Sequence, residues 1–70
     1  MDYSVGKRLV VEGLRADCKL KDYLLACGFV NGAEIVVIAK SPLKKTLLLG
    51  VNNSLISLKI NVLSGVIWKK

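Results

Sequence analysis

The sequence predicts a mainly β fold: a small barrel of about five short strands with one inserted α-helix. Short apolar and β-branched runs alternate with Gly, Asn and Pro at regular spacing, which is typical of strands joined by tight turns. Only one segment has helical periodicity. The 70 residues are expected to form one domain over 1–70, and closing so small a sheet removes most of its exposed edges.

The first strand is predicted over residues 8–12, where the apolar run Leu9-Val10-Val11 lies between two glycines. The helix follows. Its apolar side chains fall at positions i, i+3, i+4 and i+7 of one face: Leu20, Tyr23, Leu24 and Cys27. Asp17 is predicted to cap the start of the helix. Gly28 is predicted to end it in the left-handed conformation, with Phe29 packing back on Leu24.

Three further strands are predicted in the second half of the chain. Residues 34–40 are rich in β-branched side chains and end at Pro42, which cannot donate to a strand ladder. Residues 46–51 and 54–59 form a hairpin, because Asn52-Asn53 tolerates the positive φ that a two-residue turn requires. A single turn holding Leu63 and a last short strand over 65–68 complete the chain. Trp68 is expected to pack in the core.

The net charge of +6 comes entirely from the second half, because no acid follows Glu34. Two interpretations are open: a basic face for nucleic acid or anionic lipid, or solvated lysines that protect strand edges. The second is favoured, since all the excess cations are Lys and none is an Arg suited to bidentate phosphate contacts. The excess cations are Lys40, Lys44, Lys45, Lys59, Lys69 and Lys70.

The residues needed for most catalytic and metal sites are missing. With no histidine, a nucleophile has no usual activating base, and no phosphate-binding loop occurs. The protein is therefore not expected to be an enzyme or to carry a cofactor. Cys18 and Cys27 have no common metal-ligand spacing, so no metal site is predicted, although a thiol with carboxylates from a second copy is an alternative. No apolar run is long enough to span a membrane, and a cytoplasmic location is expected.

An SH3-like barrel is the first choice of architecture, and an OB barrel, which has longer strands, is the second. The segment from Tyr23 to Val37 resembles the ferrous iron transport protein A (FeoA) family, with Gly28 and Gly32 as structural turns between helix and strand. The Ser41-Pro42-Leu43 loop and the pattern Ile56-Ser57-Leu58-Lys59 also resemble that family. Together the matching segments cover residues 3–68. Tyr23 stands where the family often has Arg, which puts in doubt any partner contact made by that Arg.

The resemblance implies a small cytosolic SH3-like accessory to bacterial ferrous iron uptake. Its implied partner is the FeoB-type membrane transporter, which carries a cytosolic GTPase domain. A regulatory module is a secondary implication, since similar domains occur fused to metal-dependent repressors. Nucleic acid is not an expected partner, but a small basic nucleic-acid-binding barrel is the alternative function.

The proposed contact surface is an apolar rim flanked by cations. Tyr23 and Leu25 would supply it on the helix, and Leu43 and Leu48 around the Pro42 loop, where Lys44 and Lys45 would steer an acidic partner. Core packing is the alternative role for Tyr23 and Leu25. The same patch would also allow two copies of the chain to pair as a homo-oligomer.

Overall fold

A computed structural model of the chain describes residues 3–43 and 45–69. Its elements follow in chain order: β1 (Arg8–Leu14), α1 (Lys21–Cys27), β2 (Glu34–Lys40), β3 (Thr46–Val51), β4 (Ser54–Lys59), α2 (Ile60–Leu63) and β5 (Val66–Trp68). The strands form one antiparallel sheet in the order β4-β3-β2-β1-β5. This confirms the mainly β prediction. Among the described residues β4 and β5 do not pair with each other and are the two edges of the sheet.

The core lies on the inner face of the curled sheet. Alternate residues of β2 and β3 point inward, as the period of two predicts. The helix α1 adds Leu24 to this core and the turn α2 adds Leu63. The buried apolar residues are Leu9, Val11, Leu24, Phe29, Ile35, Val37, Leu47, Leu49, Val51, Leu58, Leu63 and Val66.

The turn between β3 and β4 follows the sequence prediction closely. Asn52 has φ 49° and Asn53 has φ 64°, so both occupy the left-handed region that a two-residue hairpin turn needs. Val51 consequently faces Ser54 across the turn, and the pairing continues without interruption to Thr46 and Lys59. Strand β2 is less regular, because a bulge at Ile38 shifts the register between Val37 and Ala39.

The beginning of the helix differs from the prediction. Asp17 does not cap α1: the helix begins at Lys21, and its N-cap residue, Leu20, makes no side-chain capping bond. Asp17 instead accepts a 3.1 Å hydrogen bond from Arg15 Nε, and the Cys18 N–H bonds to the Arg15 carbonyl. The segment before the helix is therefore a separate turn. This local pairing competes with the cap, which is common for Asp near a turn.

The predicted buried face of the helix is also narrower than its periodicity implies. Leu24 is buried and Cys27 is half-buried against the core, but Leu20 and Tyr23 are exposed. The helix has only 7 residues, which is about two turns. Its contact with the core is therefore made by Leu24, by Cys27 and by Phe29, which follows the helix. None of the helices in the described residues is long and apolar enough to cross a membrane.

Candidate partner-binding surface

Tyr23 and Leu25 are both available to a partner on α1. Their exposed fractions are 49% and 43%, because burial of Leu24 turns the residues on either side of it toward solvent. A hydrogen bond with Cys27, together with the negative charge that this side chain carries as a thiolate, raises the pKa of the Tyr23 hydroxyl above its usual range. Tyr23 therefore stays neutral at physiological pH and presents a ring with one polar tip.

Gly28 determines where this helix ends. Its φ of 107° lies in the left-handed region, and the next amide, that of Phe29, donates to the Leu24 carbonyl at 2.9 Å. The structure therefore confirms the predicted helix end. A side chain on Gly28 would also collide with Asn52 in the β3–β4 turn. The helix end and the hairpin turn can approach this closely only because the residue is glycine. Gly32, at φ 88°, makes the following turn into β2.

Leu43 and Lys45 lie in the loop between β2 and β3. Leu43 is 76% exposed, the highest value among the exposed large apolar residues. The Ser41 hydroxyl accepts hydrogen bonds from the Lys45 and Thr46 amides at 3.3 and 3.2 Å, and these bonds join the two ends of the loop. Lys44 lies outside the described residues, and its predicted role stays a prediction.

Leu48 lies on the outer face of the sheet, between Ala39 on β2 and Ser57 on β4. It is half-buried, so only part of its side chain is available to a partner. Its neighbours partly cover it, and replacing it would disturb the sheet as well as the surface.

The described structure does not gather all of these side chains in one groove. The Gly28 end of α1 lies beside Asn52 at one end of β3, whereas the Leu43 loop precedes the other end. Tyr23 lines a groove of about 410 Å³ with the turn before the helix. Lys45 lines another, of about 380 Å³, with Lys59 and Asn61. The predicted residues thus form two surfaces, and their contact with a partner stays a prediction.

Sequence reasoning missed a third surface, on the outer face of β2, β3 and β4. A groove of about 420 Å³ is lined there by Glu34, Val36, Ile38, Gly50, Asn52, Asn53, Ser54 and Leu55. Leu55 is 64% exposed. The available signal was Gly50, the one residue without a side chain in the otherwise bulky strand Thr46–Val51.

Charged side chains near these surfaces form two exposed ion pairs within the described residues: Arg8 with Glu34 at 3.6 Å and Arg15 with Asp17 at 3.1 Å. The hydrogen bond and charge of Arg15 hold the pKa of Asp17 below its usual range. The part of the chain that the structure describes contains no group of three or more His, Cys, Asp or Glu side chains arranged to hold a metal ion.

Residues 1–68 match the FeoA domain family. The FeoA-like protein of Clostridium acetobutylicum superposes with a TM-score of 0.83 at 20% identity, over 93% of this chain and 76% of that one. FeoA of Chlorobium tepidum gives 0.82 at 24% identity, over 97% and 68%. These two similarities show the fold.

A third similar structure is FeoA of Stenotrophomonas maltophilia, which was crystallised with zinc. It is 27% identical, with a TM-score of 0.80 over 94% of this chain and 82% of that one. That protein is described as a prokaryotic SH3 domain protein and a candidate activating factor of bacterial ferrous iron transport. A comparison with curated protein sequences finds no significant match.

Proposed function

Because the chain belongs to the FeoA domain family, we propose that it is a cytoplasmic accessory protein of bacterial ferrous iron uptake that binds the FeoB-type membrane transporter. It acts by protein contact and performs no catalysis. The SH3-like fold supplies a rigid support for surface side chains, and the iron remains the cargo of the transporter.

The observation that carries this proposal is the exposure of apolar side chains on a small domain of this family. Tyr23, Leu25 and Leu43 are each more than two-fifths exposed. Apolar and aromatic side chains that stand in solvent on a rigid element are typical of the centre of a protein interface. The helix surface and the Leu43 loop would contact different parts of one large partner.

Electrostatics would favour an acidic partner surface. Lys45 is two residues from Leu43 in the sequence, and Lys59 lines the same groove as Lys45. Cations at the rim of an apolar contact mainly raise the association rate and make it sensitive to salt.

The test is a binding measurement between the purified chain and the cytosolic portion of the FeoB-type transporter from the same cell. Leu43→Asp and Leu25→Asp place a charge on each surface at a solvent-exposed position. Val5→Asp is the matched control, since Val5 is also exposed, at 61%. We expect each of the first two to weaken binding at least about tenfold while the control binds normally. Equal binding by all three variants would reject the proposal.

The alternative function is a basic nucleic-acid-binding barrel, and the groove formed by Lys45 and Lys59 is the observation that favours it. The same variants separate the two. Lys45→Glu would weaken binding to nucleic acid and reduce its dependence on salt, whereas Leu43→Asp would leave it nearly unchanged. Stacking by Trp68 is not part of this alternative, because its ring packs against Tyr3 and Phe29.

A further inference from the structure

The outward edge of β4 has backbone groups available for pairing. The two-residue turn makes Val51 and Ser54 a hydrogen-bonded pair, so the even-numbered residues of β4 bond to β3. The 2.8 Å bond from the Ile60 amide to the Lys45 carbonyl continues this alternation. The N–H and C=O groups of Leu55, Ser57 and Lys59 therefore point away from β3. Within residues 3–43 and 45–69 no strand lies on that side.

The groove beside this edge is formed by the missing side chain of Gly50. Gly50 pairs with Val36 on one side and Leu55 on the other. A Cβ at Gly50 would lie 3.5 Å from Ile38 Cδ1, which shows that the bulged Ile38 leans over the glycine. The result is a groove over Gly50 with Ile38 on one side and Leu55, next to the β4 edge, on the other. We call it the Gly50 groove.

A cationic groove lies at the opposite end of the same edge. It is lined by Lys45, Lys59 and Asn61. Leu55, Ser57 and Lys59 face outward on one side of the sheet, because each pairs with an outward residue of β3. Leu55 and Lys59 are four residues apart, which is about 13 Å along a strand. One edge therefore carries an apolar site and a cationic site at a fixed spacing.

The charge around this edge selects the occupant. No acid follows Glu34 in the sequence, and Glu34 itself pairs with Arg8. The chain carries a net charge of +6, so a second copy would be repelled and an acidic segment attracted. A bilayer surface cannot enter a groove beside a strand edge or satisfy its backbone groups. An extended protein segment can do both.

We propose that the β4 edge binds an extended acidic segment of a partner protein as an added antiparallel strand. In that segment an apolar side chain lies opposite Leu55 and packs against its exposed side chain, at the rim of the Gly50 groove. An acidic side chain four residues earlier lies opposite Lys59 and between it and Lys45. The main-chain bonds supply affinity, and the two side chains supply register and specificity. Antiparallel pairing continues the arrangement of the whole sheet.

This inference deepens the proposed function, on which it rests only in assuming a protein partner. Its surface differs from α1 and shares only the cationic groove of Lys45 and Lys59 with the surface around the Leu43 loop. The test below uses no transporter, so failure of the peptide to bind and failure of the transporter to bind are separate results.

The probe is a blocked seven-residue peptide of threonines with Glu at its second position and Leu at its sixth. Its control has the Glu and Leu exchanged, which keeps composition and charge. Two-dimensional amide NMR of the full chain follows the titration. We expect the first peptide to shift the signals of Gly50, Leu55, Ser57 and Lys59 and to bind about tenfold more tightly than the control. Equal binding of the two peptides, or no shift at millimolar peptide, would overturn the proposal.

Two variants test the two kinds of contact. Ser57→Pro removes an outward N–H that the β3 ladder does not use, and an edge strand tolerates proline there. Lys59→Glu reverses the charge at the cationic end, and Lys21→Glu makes the same change on α1 as its control. We expect the first two to weaken peptide binding about tenfold or more, while Lys21→Glu binds within about twofold of the original.

A peptide N-methylated at the residues whose N–H groups would face β4 tests the edge without altering the protein, in case Ser57→Pro does not fold. It should not bind. Binding of the methylated peptide would overturn the proposal. Shifts of the β4 signals that grow with protein concentration alone would do so too, because they would assign the edge to a second copy.

Discussion

The two edges of the sheet are protected to very different extents. Strand β5 has 3 residues, and its Trp68 is covered: Nε1 donates to the Tyr3 hydroxyl at 3.2 Å, and the Phe29 ring lies 6.5 Å away in an edge-on arrangement. Strand β4 has 6 residues. It begins after an exposed two-residue turn and leaves Leu55 largely in solvent.

This difference suggests that the β5 edge contributes mainly to stability and the β4 edge mainly to binding. A short edge covered by aromatic side chains offers little backbone to another chain, whereas a long open edge is a template for pairing. On β4 the only charged protection is Lys59 at its end. We therefore expect changes at the β5 edge to alter mainly the free energy of unfolding, and changes at the β4 edge to alter mainly binding.

The largest effect should come from removing the aromatic cover. Trp68→Ala is expected to lower the free energy of unfolding by about 3 kcal/mol, because the ring packs against Tyr3 and the buried Phe29. Urea unfolding followed by circular dichroism measures it. Ile67→Ala, on the exposed side of the same strand, should cost under about 1 kcal/mol. If Trp68→Ala and Ile67→Ala lowered the free energy of unfolding by similar amounts, the aromatic contacts of Trp68 would not be what stabilises this edge.

The second largest loss of stability is expected at Gly65, the residue just before β5. A Cβ on Gly65 would lie 2.7 Å from Cys18 Sγ and 2.9 Å from Cys18 Cβ. Gly65→Ala is therefore expected to cost about 2 kcal/mol through overpacking. Adding Cys18→Ala removes the sulfur but not the Cβ contact, so the double variant should recover part of that cost. Simple additivity in the unfolding measurements would show that the two residues do not clash.

A smaller effect is expected at the turn that begins β4. Asn52→Val places a β-branched residue at φ 49° and should cost about 1–2 kcal/mol. Asn52→Gly, the matched variant, relieves that strain and should remain close to the original protein. The midpoint of thermal unfolding distinguishes them. If the valine variant were as stable as the glycine variant, the turn would not depend on the left-handed conformation.

The smallest effect is expected at the exposed turn between β1 and α1, where the Arg15 amide bonds to the carbonyl of Gly65, the residue just before β5. Arg15 lowers the folded-state pKa of Asp17. The pair therefore stabilises the folded state above the unfolded pKa of Asp17, and that contribution is lost as the pH falls through the lowered value. Arg15→Gln should move the Asp17 pKa, followed by NMR, back toward its usual range with little change in stability at neutral pH. An unchanged pKa would remove Arg15 as the cause.

Much of the fold could be predicted from local patterns. The bounds of β2, β3 and β4 agree with the predicted segments, because Pro42 and Asn52-Asn53 mark the ends of β-branched or alternating runs. The end of α1 agrees for a similar reason, since Gly28 is the residue that a left-handed helix end requires. These signals act within a few residues and do not depend on what lies across the molecule.

The start of the helix and the exposure of its side chains were not predictable in the same way. Asp17 can cap a helix or pair with Arg15, and only the folded turn selects the second. Leu20 and Tyr23 have the periodicity of a buried face, but both side chains are exposed in the folded chain. The Gly50 groove also depends on tertiary structure, because it requires the bulge at Ile38 and the register of two neighbouring strands.

By itself, the sequence determined the strand and turn positions, the uneven charge and the likeness to the FeoA domain family. Each of these depends on composition or on residues that are near one another in the chain. Tertiary structure alone decided which strands became edges, which apolar side chains stayed in solvent, and that the helix surface and the Leu43 loop lie apart. Burial and pairing are properties of facing surfaces, and a residue's partner across the sheet is specified only when the whole chain has folded.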